Sequence, residues 1–105
     1  MMTKSMFITA LLFMLAVPGA VLANDLLAYG QYLAGECTSC HRADGADKGI
    51  PAIVGWEPDA FISVLQSYKT GERTNEAMTS VARSLDIEQM KSLAAYFAAQ
   101  EQKPR

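Results

Sequence analysis

The sequence contains very few of the residues that usually build metal-binding or disulfide-stabilised sites. Histidine occurs once, at position 41, and cysteine occurs twice, at positions 37 and 40. No second histidine is therefore available for a zinc site with histidine ligands. No second pair of cysteines is available for a structural disulfide if these two are used elsewhere.

Basic residues are also scarce relative to acidic ones. The chain has 9 Lys and Arg against 11 Asp and Glu, a formal net charge of −2. Residues 1–23 contain one of the basic residues, so the remainder carries a balance of 8 − 11 = −3. This mildly acidic composition argues against a nucleic-acid partner.

A long uninterrupted apolar segment is missing as well. The apolar stretch at residues 6–17 is preceded by Lys4 and followed by Pro18 and Gly19, and it is shorter than the roughly 18–20 residues that a membrane span needs. This pattern is typical of a secretory signal peptide. We expect a leader at residues 1–23, a mature domain at 24–105 in the periplasm, and no stable membrane span after cleavage. An uncleaved membrane anchor is the alternative.

The scarce residues lie together in the pattern Cys37-Thr38-Ser39-Cys40-His41. This is the C-x-x-C-H attachment motif of c-type haem. Two thiols at this spacing can each add to one vinyl group of a porphyrin, and the histidine can then supply an axial nitrogen to the iron. The sequence therefore predicts one covalent haem c on Cys37 and Cys40, with His41 as an iron ligand. Haem attachment would also consume two thiols that an oxidising compartment would otherwise pair.

A first helix is predicted to start at Asn24, a suitable N-cap, because apolar residues at helical spacing follow it. Gly30 lies inside this helix, where glycine costs about 1 kcal/mol relative to alanine. It indicates either the close approach of another helix or simple tolerance. The helix is expected to loosen at Gly35, before the cysteine motif.

Two further helices are indicated by their end signals. Pro58 is typical of a first helical position, and Gly71 of a helix end. Asp86 and Gln89 form a capping-box pattern at the start of the last helix. The segment 42–56 has turn residues and no periodicity, so we expect it to be a loop. No stretch alternates as a half-buried strand would, which predicts an all-α fold.

The iron ligands can be narrowed further by elimination. A metal-bound histidine normally donates its other ring N–H to a fixed acceptor, and a backbone carbonyl near Pro51 is the expected one. On the opposite side of the iron a second histidine is impossible, which leaves methionine, lysine or water. Met90 lies on the apolar face of the last helix and suits the core, whereas Met78 follows a polar loop. We expect Met78 to be the second iron ligand, with a core role for Met78 and an open position as alternatives.

With these features the chain resembles the class I c-type cytochromes across nearly all of residues 24–105. The stretches that carry the resemblance are Cys37–His41, Pro51–Gly55, Lys69–Arg73, Met78 and Leu93–Phe97. The segment Tyr68-Lys69-Thr70-Gly71-Glu72-Arg73 is similar to cytochrome c4-type domains and to the cytochrome subunit of flavocytochrome c sulfide dehydrogenase. Arg42 is a departure, because relatives commonly have glycine there. It is expected to affect docking or the haem environment.

The resemblance implies a small class I cytochrome c fold, with three to four helices and loops around one haem and Tyr96 packed on Gly30. It also implies one-electron transfer rather than catalysis, because an iron with both axial positions filled binds no substrate. The implied partners are a donor dehydrogenase, with a sulfide-oxidising flavoprotein as the leading candidate, and a downstream cytochrome or oxidase. A freely diffusing carrier is the alternative.

Two other classes of protein use parts of the same pattern. A haem enzyme or gas sensor would leave the sixth iron position open. A thiol–disulfide protein would use C-x-x-C without haem, but that function is typical of a βαβ context, and only helices are predicted here. The remaining alternative is a chance pair of buried cysteines.

Overall fold

The computed structural model describes residues 18–47 and 49–100, with side chains from residue 22 on. This part of the chain contains four helices and no strand. These are α1 (Pro18–Thr38), α2 (Pro58–Thr70), α3 (Glu76–Ser84) and α4 (Ile87–Ala98). The predicted all-α fold is confirmed. Most of the expected leader, residues 1–17, lies outside the described residues. Within the described range, no helix has both the length and the apolar character that crossing a membrane requires.

The first helix has different ends from those predicted. It begins at Pro18 and continues without a break to Thr38, so the predictions of an N-cap at Asn24 and of loosening at Gly35 are wrong for this chain. Proline is tolerated in a first helical turn. A Cβ built on Gly35 would meet nothing within 4 Å, so no neighbouring group interrupts the helix there. The unbroken helix carries Cys37 in its last turn.

Helix α1 packs against α4 at an unusually close crossing. A Cβ on Gly30 would lie 2.1 Å from the Ser92 carbonyl oxygen and 2.7 Å from Tyr96 Cβ. Because the nearest of these atoms belongs to backbone, it cannot move away as a side-chain end could. The close-approach interpretation of Gly30, and its contact with Tyr96, are therefore confirmed.

Helix α2 has the predicted bounds. It starts at Pro58, after an N-cap, Glu57, whose carboxylate accepts from the Ala60 N–H at 3.1 Å. It ends at Gly71, which has a φ of 84°, a backbone conformation that glycine adopts without a steric penalty. The two end signals therefore located this helix correctly.

Helix α3 was not predicted as a separate element, although its start signal is present. Asn75 is its N-cap, and its side-chain oxygen accepts from the Met78 N–H at 3.0 Å. The next cap, at α4, is the predicted capping box. The Gln89 N–H donates to Asp86 Oδ1 at 2.8 Å and the Asp86 N–H donates to Gln89 Oε1 at 2.9 Å.

The core forms around α4. Met90, Leu93 and Phe97 are each 1% exposed, which agrees with the expectation that Met90 fills the core. Among the described helices, α1 packs only on α4, whereas α2 packs on both α3 and α4. The end of α1 and the α2–α3 pair are thus both anchored near α4 without contacting each other. This arrangement creates the space in which the candidate site lies.

Candidate haem site

A cavity of about 400 Å³ lies between the end of α1 and the α2–α3 pair. This volume is within the range of about 300–1,000 Å³ that is common for small-molecule and cofactor sites. Most of the wall is apolar, as a buried porphyrin requires. Its apolar residues include Ile50, Ile53, Trp56, Phe61, Val64 and Leu65.

Both predicted attachment cysteines line this cavity. Cys37 is half-buried in the last turn of α1, and Cys40 is exposed in the following turn, where its N–H donates to the Cys37 carbonyl at 3.2 Å. Both thiols are free. Burial, assisted by the neighbouring Glu36 carboxylate, raises the pKa of Cys37 to about 11. Thiol–disulfide exchange requires a thiolate, so this environment is the opposite of the one that a redox C-x-x-C pair uses.

The His41 ring also lines the cavity, and one of its nitrogens is already used. Nδ1 lies 2.7 Å from the Pro51 carbonyl oxygen. A carbonyl can only accept, so Nδ1 carries a proton, and in the neutral ring Nε2 has the lone pair that a metal can take. The predicted acceptor near Pro51 is confirmed. The bond fixes both the tautomer and the ring orientation that an iron ligand needs.

The two methionines of the described residues have different surroundings. Met78 lies in the first turns of α3, is half-buried and lines the cavity, whereas Met90 is 1% exposed in the core and does not line it. No lysine among the described residues lines the cavity. The structure therefore brings Cys37, Cys40, His41 and Met78 to one cavity.

Several cavity residues were not assigned a role from the sequence. Trp56 lines the wall, donates from Nε1 to the Ala52 carbonyl at 3.1 Å and packs edge-on against Phe61, with ring centroids 6.4 Å apart. Glu36 and Arg73 are the charged residues of the described lining. The single tryptophan was a usable signal, but nothing local marks the two charged side chains as facing a cavity.

Arg42, the departure from the family pattern, does not line the cavity. Its guanidinium forms two hydrogen bonds with Asp44, at 3.1 Å to Oδ1 and 2.8 Å to Oδ2. Asp44 Oδ1 also accepts from the Ala46 N–H at 2.9 Å. Arg42 therefore supports the loop that follows the cysteine motif.

The residues of the cavity fit a c-type haem. Two free thiols, an imidazole with one available nitrogen and a thioether open into a single apolar space, and no residue set for a different cofactor competes with them among the lining residues. The donors are those that hold haem c: thiols for the vinyl groups, and His and Met for the iron.

Comparison with known proteins yields cytochromes, although no protein-family model matches the sequence. The chain is 33% identical over 84 residues to cytochrome c-554(548) of Halomonas halodenitrificans, an alignment that covers 75% of this chain and 100% of that protein. It is 31% identical over 96 residues to cytochrome c4 of Pseudomonas aeruginosa, covering 90% of this chain and 48% of the relative.

A third relative is the cytochrome subunit of sulfide dehydrogenase from Chlorobaculum tepidum. It is 33% identical over 69 residues, which is 65% of this chain and 63% of that subunit. The chain thus spans about half of the Pseudomonas protein and somewhat more of the Chlorobaculum one.

Proposed function

Because the chain belongs to the class I c-type cytochromes, which carry haem c and transfer electrons, we propose that it accepts electrons in the periplasm from an exported dehydrogenase. A sulfide-oxidising flavoprotein is the leading candidate for this donor. One relative is named as the cytochrome subunit of sulfide dehydrogenase, which supports this choice. The observation that carries the proposal is the single apolar cavity that collects two thiols, an imidazole and a thioether.

In this proposal Cys37 and Cys40 would attach the haem, and His41 Nε2 and the Met78 sulfur would bind its iron. The bound haem supplies a one-electron ferric–ferrous couple. The Pro51 carbonyl orients the His41 ring, and the Asn75 cap holds the backbone of Met78. With His41 and Met78 both bound to the iron, no position would be left for a substrate, so the haem would exchange electrons with partners without bond chemistry.

The reduced state is favoured by two features of the site. A thioether ligand stabilises ferrous iron relative to harder ligands. A wall of low dielectric constant disfavours the net positive charge of ferric haem. We therefore expect a higher reduction potential than that of a haem with water in place of Met78.

We also propose that residues 1–23 are a cleaved leader and 24–105 the functional domain. Cleavage after Ala23 would leave residues 24–38 of α1, which is 38 − 23 = 15 residues, with Gly30 and Cys37 both retained. Intact mass and N-terminal sequencing of the exported protein test this. A mature chain that still begins with the apolar segment 6–17 would indicate an anchor.

The donor assignment is tested by purification from the native host. A stable subunit would co-elute with a flavoprotein and bury an interface of about 1,600 Å². Adding sulfide to that complex should reduce the haem, as seen by sharpening of the visible absorption bands. A monomer whose haem sulfide cannot reduce through any co-purified protein would end this part of the proposal.

A freely diffusing carrier is the second candidate, and one comparison favours it. The cytochrome from Halomonas is matched over its whole length. Its name does not describe it as a subunit of a larger enzyme. Such a carrier would use a smaller and transient interface. Analytical ultracentrifugation of the mixed proteins would separate the two cases.

A further inference from the structure

Helix α3, which carries Met78, has little support from the core. Among the described helices it packs only on α2. Of its nine residues, Ala82 alone is fully buried. The position of Met78 relative to the cavity therefore depends on how α3 is attached to α2.

Both ends of α3 are attached to the last turn of α2. Before α3, the Arg73 N–H donates to the Ser67 carbonyl at 2.9 Å. After α3, the Lys69 ammonium donates to the carbonyl of Leu85, the residue at the helix C-cap. Ser67 and Lys69 are only two residues apart, so a single turn of α2 binds the segment on both sides of α3.

Lys69 is itself exposed, but its hydrogen bond to the Leu85 carbonyl is partly buried. Leu85 as a whole is only 6% exposed, so few of its atoms reach water. A buried acceptor without a partner is costly, and a charged donor makes a strong hydrogen bond. The long stem of the lysine reaches this carbonyl from the end of α2, where a positive charge also suits the helix dipole.

We propose that Lys69 is a positioning residue that keeps the Met78 sulfur on the haem iron by fastening the C-terminal end of α3 to α2. This inference rests on the proposed ligation by Met78. Lys69 does not line the cavity, so it would act on Met78 through α3 and not by direct contact with the bound haem. Without the Lys69–Leu85 contact, the C-terminal end of α3 keeps its packing on α2 but loses this hydrogen bond, and conformations in which Met78 leaves the iron become more populated.

The test measures imidazole binding to the ferric holoprotein, because imidazole enters the sixth position only when Met78 is off the iron. The apparent affinity rises in proportion to the population of that open state. In Lys69→Gln and Lys69→Met we expect imidazole to bind about tenfold more tightly. The weak red charge-transfer band of sulfur-ligated ferric haem should then disappear at about one tenth of the imidazole concentration that the wild type needs.

Two controls isolate the contact. Lys69→Arg keeps a charged donor and should remain within about twofold of the wild type. Lys91→Gln removes the same charge from α4, where Lys91 pairs only with the exposed Glu88 at 3.2 Å, and should also stay within about twofold. Met78→Ala gives the upper limit, because its sixth position is always open to imidazole.

The outcomes distinguish this inference from the proposed function. Lys69 variants that melt earlier but bind imidazole as the wild type does would show a merely structural role and overturn the inference, while Met78 ligation stands. Variants that accumulate only without haem would overturn it too, because a contact acting on Met78 leaves attachment at Cys37 and Cys40 intact. If Met78→Ala itself leaves imidazole affinity unchanged, the proposed ligation is the part that fails.

Discussion

The α1–α4 contact and the cavity wall formed by α2 and α3 are stabilised in different ways. At the first, the helices approach closely, and a Cβ on Gly30 would meet the Ser92 backbone and Tyr96. At the second, apolar side chains such as Val64 and Val81 face a cavity and are only half-buried. One part of the domain, the α1–α4 contact, is therefore held by packing between residues. The other part, the α2–α3 wall, would be completed by haem in our proposal.

Removing the proposed attachment cysteines should have the largest effect, on the part of the domain that surrounds the cavity. In Cys37→Ser or Cys40→Ser we expect most of the exported holoprotein to be lost, because a domain of this size without its covalent haem has too small a core. The yield of covalent haem, from intact mass and from extraction into acidified organic solvent, measures this. Haem that extracts from the wild type would contradict covalent attachment.

The two methionines provide the sharpest form of the comparison. Met90→Ala should cost roughly 2–5 kcal/mol of unfolding free energy as a core truncation, with the absorption spectrum unchanged. Met78→Ala should instead open the sixth iron position, lower the reduction potential and lose the sulfur–iron charge-transfer band. Denaturant titration and ferric absorption spectra of both variants measure the difference. If that band persists in Met78→Ala, Met78 is not the sulfur ligand.

Two glycines of α1 test how closely α1 and α4 are packed. Gly30→Ala places a methyl group 2.1 Å from the Ser92 carbonyl oxygen, and overpacking of this kind costs about 1–3 kcal/mol or more. Gly35→Ala is the matched control, since a Cβ there meets nothing within 4 Å. It should stabilise the helix by about 0.5–1 kcal/mol. In thermal unfolding we expect the melting temperature to fall in Gly30→Ala and to rise in Gly35→Ala. Equal changes in the two variants would show that the close crossing is relaxed in solution.

The N-caps of α3 and α4 should have the smallest effects on stability. Asn75→Ala and Asp86→Ala each remove a side-chain cap and should each cost about 1 kcal/mol of stability. Only Asn75 caps the helix that carries Met78, so only its loss should also weaken the sulfur–iron band. Asn75→Asp keeps an acceptor and serves as the control. A change of the band in Asp86→Ala would mean that the two parts of the domain are coupled more strongly than their contacts indicate.

Sequence reasoning located elements well where a local signal marked the end of a helix. The capping box at Asp86 and the glycine at position 71 depend on contacts within a few residues, and both were predicted correctly. The start of α1 was misjudged because Asn24 has the chemistry of a cap without being used as one. Helix α3 was missed because it is short and largely exposed, even though Met78, Val81 and Ala82 have helical spacing.

The part of the candidate site that a local sequence pattern marks was predicted. Cys37, Cys40 and His41 are adjacent, so their chemistry could be inferred from the motif alone. The roles proposed for them and for Met78 stay predictions until a spectrum tests them. Arg73 and Glu36 could not be assigned to the cavity, because whether a charged side chain lines a cavity depends on which helix lies opposite it.

The sequence by itself determined the type of haem and the helix ends with strong caps, because these follow from residue type and from hydrogen bonds between near neighbours. Only the tertiary structure decided that Gly30 meets the backbone of Ser92 and that Lys69 reaches the Leu85 carbonyl. It also decided that, among the described helices, α1 packs on neither α2 nor α3. These features join residues far apart in the chain. They arise only when α4 buries its apolar face and thereby sets the distances between the other helices.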